Sequence, residues 1–161
     1  QFAINIKSGD PSEGERLVHY MKTHGHPTDR RLFVIGNERA LERLINLAPD
    51  TRVWIPSRTK TCVKRYIMLG WTGHVPAACR NGAIGIPINY AWAYWGWPNR
   101  LLGRMEAAGA DVTLLAPYHR EVGASGFTTA KELEAVPQSF TGTLVVDGIE
   151  VIGPEAHRRW P

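Results

Sequence analysis

Six short apolar, β-prone runs separated by helix-patterned stretches are the feature that most restricts what this chain can fold into. The runs lie at residues 2–6, 32–35, 52–55, 83–88, 111–116 and 143–147. Most lack strict apolar/polar alternation, which suits strands covered on both faces, as in a parallel sheet. Between them the helical punctuation is clear. Asp10 can cap a helix with Pro11 first and Glu13 third, Leu17, Val18 and Met21 on one face, and Gly25 as its stop. A second helix starts at Asn37, turns Leu41, Leu44, Ile45 and Ala48 inward and ends before Pro49, and a third is expected over 60–69. A fourth begins at Pro98, carries Leu101, Leu102, Met105 and Ala108 on one stripe and stops at Gly109; a fifth begins at Thr129, with Glu132 three residues on, and Pro137 closes it. The Pro- and Gly-rich stretch 71–82 reads as a loop.

Strand and helix thus alternate along nearly the whole length, which argues α/β with parallel strands and right-handed crossovers. Two architectures fit that order. An open doubly wound sheet of six strands is complete in itself, whereas a TIM barrel needs eight strands and typically about 250 residues. The chain has 161 residues, with no Gly-x-Gly-x-x-Gly after its first strand and no Gly-Lys-Ser/Thr loop, so the nucleotide-binding signatures of the open sheet are missing.

Composition narrows the function classes. With 43% hydrophobic and 21% charged residues, the chain reads as one globular unit with one core. No run approaches the roughly 18 apolar residues that span a bilayer, so no transmembrane segment is expected. The opening Gln1-Phe2-Ala3, in place of Met and a basic-then-apolar leader, reads as a cut or processing point. The formal charge of +4 is spread along the chain and interleaved with acids, which fits a phosphate-bearing small molecule without requiring nucleic acid. Arg58, Lys60, Lys64 and Arg65 form the densest basic cluster and read as a solvated helix face. Cys62 and Cys79 lack Cys-x-x-Cys spacing, so no zinc site is expected and their redox state stays open.

Three stretches, in order, resemble the later half of a glycerophosphodiester phosphodiesterase. Residues Phe2-Ala3-Ile4-Asn5-Ile6-Lys7 resemble that family's mid-barrel Ile-Glu-Ile/Leu-Lys strand. Tyr94-Trp95-Gly96-Trp97-Pro98-Asn99-Arg100, with Met105 and Ala108-Gly109-Ala110-Asp111-Val112, is similar to its Trp-Pro-Asn/Asp helix and the strand that follows. Gly126-Phe127-Thr128-Thr129, Glu132-Leu133, Pro137, Phe140-Thr141-Gly142, Val146-Asp147 and Ile152-Gly153-Pro154 resemble its closing segment. The family's His-Arg-Gly opening, its cation-holding Glu-x-Asp strand and its second catalytic His in a His-Asp segment have no counterpart in these residues. The resemblance implies a partial TIM (β/α) barrel of about six parallel strands lacking the N-terminal ones. It implies a single domain over 1–161, open to self-association or to pairing with the segment that supplies the remaining strands.

In such a barrel the chemistry sits at the C-terminal ends of the strands, which singles out Asn5, Lys7, Ser57, Asn89, Tyr118 and Asp147. Asn5 and Lys7 share one side of the first strand by alternation. Lys7 is expected to face a phosphate oxygen and stabilise the charge that builds up during displacement. Asn5 stands where the family has a Glu ligand for Ca²⁺ or Mg²⁺; a neutral amide binds such a cation more weakly, so the metal site is expected to be weak or absent in this chain. Trp92, Trp95 and Trp97, with Tyr90 and Tyr94, are candidates to line a pocket for a choline-like or acyl-bearing substrate, or to pack beneath a loop. His119 is a candidate proton donor, and Asn89, Trp92, Tyr118 and Asp147 are candidate substrate contacts, Asp147 with local hydrogen bonding as the alternative. His24 and His26, at a helix end, read as structural or solvated.

The function implied is a metal-assisted phosphoric diester hydrolase that cleaves glycerophosphodiesters to an alcohol and glycerol 3-phosphate, this chain supplying part of the site. The alternative is a non-catalytic module that binds phosphate esters or phospholipid headgroups. The tryptophans alone suggest a carbohydrate-active barrel, but no carboxylate pair at the strand ends supports it.

Overall fold

A computed structural model of the chain describes residues 2–29, 31–121, 123 and 125–160. Gln1, read above as a cut or processing point, lies outside the described residues. All six expected strands form: β1 (Phe2–Ile6), β2 (Leu32–Gly36), β3 (Arg52–Trp54), β4 (Ala83–Pro87), β5 (Asp111–Leu115) and β6 (Thr143–Leu144). Every pairing is parallel. Phe2 lies opposite Leu32 and Ile6 opposite Gly36, so β1 runs beside β2 as the short crossover between them requires.

The strands do not make one continuous wall or close into a six-stranded barrel. They form two three-stranded sheets, β1-β2-β3 and β4-β5-β6. A local reason for the break lies beside β4. The Thr59 hydroxyl donates to the Ala83 carbonyl at 2.9 Å, occupying an acceptor that a neighbouring strand's N–H would otherwise take. Side chains bridge the gap instead. Trp54 of β3 lies against Gly85 of β4, where a Cβ would come 2.4 Å from the indole ring, and Arg52 of β3 pairs with Asp111 of β5 at 3.3 Å.

Six helices follow the strands: α1 (Glu13–Thr23), α2 (Glu38–Leu47), α3 (Pro56–Leu69), α4 (Asn99–Ala107), α5 (Ala130–Glu134) and α6 (Ile149–Arg159). Asn37 caps α2 through its side chain, which accepts from the Ala40 N–H at 3.2 Å, and Thr129 with Glu132 closes a full capping box on α5. Two expectations are corrected. The Asp10 carboxylate does not cap α1; it accepts from the Ser12 N–H at 2.9 Å in a local turn, which holds its pKa down and delays the helix to Glu13. Helix α3 starts at Pro56 rather than at residue 60, because Pro is pre-set for a first helical turn. The closing Gly153-Pro154 pair lies inside α6. The Trp160 indole N–H donates to the Gln138 carbonyl at 2.9 Å and Arg159 donates to the Val136 carbonyl, anchoring the turn beyond the proline.

The stretch expected as plain loop after α3 contains two 3-10 turns, Gly70–Thr72 and Ala77–Cys79, and the second delivers Cys79 to a disulfide with Cys62 of α3. Both sulfurs lie in the larger of two apolar clusters, with Tyr66, Ile84, Ile86, Leu101, Met105, Val112 and Leu114. The smaller cluster joins Ile6, Leu32, Val34, Val53 and Ile55 to Val18, Met21, Leu41 and Leu44 of α1 and α2. In both clusters one alternate set of strand residues meets the helices. The other set lies on the opposite face, where Asn5, Phe33, Ile35, Arg52, Trp54 and Leu115 are half-buried or exposed while Ala83 and Thr113 are buried. The helices thus pack against one face of each sheet.

Helices α1 and α2 approach backbone to backbone at Gly14. A Cβ built there would stand 1.9 Å from the Ala40 carbonyl oxygen. Gly14→Ala is therefore expected to destabilise despite the better helix propensity of Ala. Overpacking against backbone costs up to about 3 kcal/mol, and Ala returns about 1 kcal/mol of it. The net loss of about 2 kcal/mol corresponds to a fall in melting temperature of roughly 4–8 °C. An unchanged thermal midpoint in circular dichroism would show that the two helices separate freely.

Candidate functional site

Parallel pairing puts the three C-terminal strand ends of each sheet on one side, and the first of them presents Lys7. Lys7 follows β1 directly and is exposed, and Asn5, two residues earlier and also exposed, lies on the same side of the strand. Both belong to the face that the helices leave uncovered.

A second group gathers where β4 and β5 end. Pro87 and Leu115 are register partners, so the segments after them start side by side. Asn89 ties them together. Its Nδ2 donates to the Tyr118 carbonyl at 3.1 Å and its Oδ1 accepts from the Tyr118 N–H at 2.9 Å. This two-point clamp sets the Tyr90 and Tyr118 rings 6.1 Å apart in a tilted pair. Trp92 adds a third exposed ring, its indole N–H donating to the Asn89 carbonyl at 3.1 Å. His119 follows Tyr118 in a tight turn, where its carbonyl accepts from the Gly123 N–H at 2.7 Å, and it is exposed. Asn89 thus acts on the site through its backbone partner, while Tyr90, Trp92, Tyr118 and His119 present the open surface.

The aromatic run that follows β4 divides in space. Trp97 packs against Phe140, ring centroids 5.8 Å apart, and the Trp95 indole N–H donates to the Ile67 carbonyl at 2.8 Å. Tyr94 is buried, and desolvation pushes its hydroxyl up to about 12, so it stays neutral near neutral pH. Only Tyr90 and Trp92 of this run stand with Asn89.

Past β6, the Asp147 carboxylate accepts from the Gly126 N–H at 2.7 Å, and the Asp147 N–H donates to the Phe127 carbonyl at 3.1 Å. A Cβ on Gly126 would fall 2.7 Å from the Asp147 nitrogen, so the glycine is what lets the two segments meet. Local hydrogen bonding is the geometry found for Asp147. Ser57, in the first turn of α3, donates to the Glu38 carboxylate in the first turn of α2, which links the segments after β2 and β3. His24 and His26 lie elsewhere, at the end of α1, where His24 stacks on Tyr20 with centroids 4.2 Å apart.

Asn5 contributes a neutral amide oxygen, and among the described residues no three of His, Cys, Asp and Glu come together in a way that could hold a metal ion. No helix among them is long and apolar enough to cross a membrane.

Beneath the strand ends lie residues that sequence reasoning missed. Trp54, Gly85 and Leu115 pack as one layer across β3, β4 and β5. One layer down, the Arg52–Asp111 pair is largely screened from water, and the Arg52 guanidinium also lies 5.8 Å from the Phe33 ring centroid. The available signal was the spacing Arg52-x-Trp54 inside a strand, which puts a cation and an indole on one side. Glu38 was legible too, as the first acid after β2, though its partner Ser57 was not. No protein-family model matches the chain, and no curated protein or solved structure matches it either.

Proposed function

We propose that this chain is part of a phosphoric diester hydrolase of the glycerophosphodiester phosphodiesterase type, built as a partial (β/α) barrel that supplies substrate-binding walls. The observation that carries the reading is the uncovered sheet face: parallel strands with helices on the other side only, and Lys7 at the C-terminal end of that face. In a barrel that face is the interior and those ends are its mouth. The order of the motifs from Phe2-Ala3-Ile4-Asn5-Ile6-Lys7 to Val146-Asp147 supports the family.

In this reading the Lys7 ammonium meets a phosphate oxygen and gains strength as negative charge accumulates there. The Tyr90, Trp92 and Tyr118 rings offer faces to a choline-like alcohol through cation–π contact, and His119 beside them contacts the substrate, while the acid–base histidines of the mechanism belong to the family's His-Arg-Gly and His-Asp segments. Glycerol 3-phosphate and the released alcohol are the products. A second reading, a phosphate-ester or headgroup binding module without turnover, is favoured by Asn5, whose amide lacks the charge of the family's Glu.

Both readings require phosphate recognition at Lys7. Titration of the chain with glycerol 3-phosphate, followed calorimetrically, is expected to show binding that Lys7→Ala weakens by roughly 10–150-fold, since a hydrogen bond to a charged group contributes about 1.5–3 kcal/mol. Binding that Lys7→Ala leaves intact would return Lys7 to an ordinary solvated lysine.

A further inference from the structure

The far end of α3 concentrates apolar surface away from the strand ends. Five of the twelve exposed large hydrophobic side chains among the described residues fall there: Ile67, Met68, Leu69, Trp71 and Trp95. Trp71 is 66% exposed and Met68 63%, more than a packed loop leaves to such residues. Ile67 and Met68 lie in the last turn of α3, and Trp71 in the 3-10 turn that continues it, so the three fall on neighbouring helical rows. Trp95 joins them through its hydrogen bond to the Ile67 carbonyl, and Gly70 keeps the approach open, since a Cβ there would stand 3.2 Å from the Trp95 ring.

The charge around this patch has one dominant sign. Helix α3 carries Arg58, Lys60, Lys64 and Arg65 and no acidic residue. Lys64 is one turn before Met68. Behind Trp71, an open groove of about 880 Å³ is lined by His74, Arg80 and Arg104, with Glu106 as its acid. Arg104 is held there, donating to the Gly70 carbonyl at 2.8 Å and to the Tyr66 hydroxyl at 3.2 Å.

We propose that this end of α3 docks on an anionic phospholipid bilayer. Trp71 and Met68 enter the boundary between headgroups and acyl chains, a depth that indole rings favour. Lys64, Arg65, Arg80 and Arg104 meet the lipid phosphates, each basic side chain near the surface contributing about fivefold to affinity. The proposal stands on this surface alone and does not rest on phosphodiester cleavage.

The test is co-sedimentation of the chain with vesicles of phosphatidylcholine containing phosphatidylserine, against vesicles of phosphatidylcholine alone. Preference for the anionic vesicles by on the order of 10²-fold is expected, weakening as salt rises. Trp71→Ser with Met68→Ser should lower binding at least tenfold, and Lys64→Gln with Arg65→Gln by about 10–30-fold. All four side chains are exposed, so an unchanged circular dichroism spectrum and thermal midpoint are expected alongside. Failure to bind anionic vesicles, or binding indifferent to the Trp71 and Met68 substitutions in a folded chain, overturns the proposal. So does a dimer in gel filtration that those substitutions dissolve, which would assign the face to a second copy.

Discussion

Residues 1–161 tested alone are expected to leave glycerophosphocholine intact, with choline and glycerol 3-phosphate release no faster than in buffer containing Ca²⁺ or Mg²⁺. The resemblance places both acid–base histidines and the cation ligands of this chemistry in His-Arg-Gly, Glu-x-Asp and His-Asp segments, none of which occurs in the sequence. A positioned acid or base commonly supplies about 10²–10⁴-fold. Losing two therefore removes on the order of 10⁴-fold or more, even allowing for the non-additivity of groups that act as a unit. What is present, Lys7 and the Tyr90, Trp92 and Tyr118 rings, binds and positions. Binding of glycerol 3-phosphate without turnover is thus the expected pair of results. Metal-dependent turnover abolished by Lys7→Ala would defeat the expectation, and would assign the proton transfer to His119 or another local group.

Loss of the Cys62–Cys79 disulfide is expected to destabilise the fold by about 3 kcal/mol. The bridge closes a loop with a sequence separation of 17. In the chain-entropy account, a loop of that size removes about 3 kcal/mol of conformational freedom from the unfolded chain. For a chain of this length the melting temperature should fall by roughly 6–12 °C. The bridge also fixes the segment that carries both 3-10 turns, against which Arg104 of α4 is hydrogen-bonded. Both cysteines are buried, so the chain has to be reduced while unfolded and then refolded with reductant. Cys62→Ala with Cys79→Ala provides the comparison that no reoxidation can blur. Coincident melting curves for the oxidised, reduced and double-alanine chains would mean that core packing around Tyr66 holds the loop unaided.

The sequence by itself determined the local order of this protein. Apolar runs gave all six strands, and the side-chain caps at Asn37 and Thr129 set the starts of α2 and α5, because a strand's burial pattern and a cap's hydrogen bond each involve only a few adjacent residues. A local signal misled at Asp10, which reads as the cap of α1 but turns its carboxylate to the Ser12 N–H. Beyond Pro154, contacts from Arg159 and Trp160 to residues 136 and 138 anchor the end of α6. The candidate residues at strand ends were legible as positions, since parallel topology sends the ends in each sheet to one side. Their tasks were not. That Asn89 clamps Tyr118, that Asp147 holds Gly126 and that Trp97 leaves the aromatic group for Phe140 follow from segments 21 to 43 residues apart meeting in space. Tertiary structure alone also decided the disulfide and the division into two sheets. Cys62 and Cys79 carry no spacing signal, and the break between β3 and β4 involves a hydroxyl, Thr59, that reaches Ala83 only once α3 has packed. Short-range patterns specify elements; side-chain hydrogen bonds across long sequence separations select how those elements join.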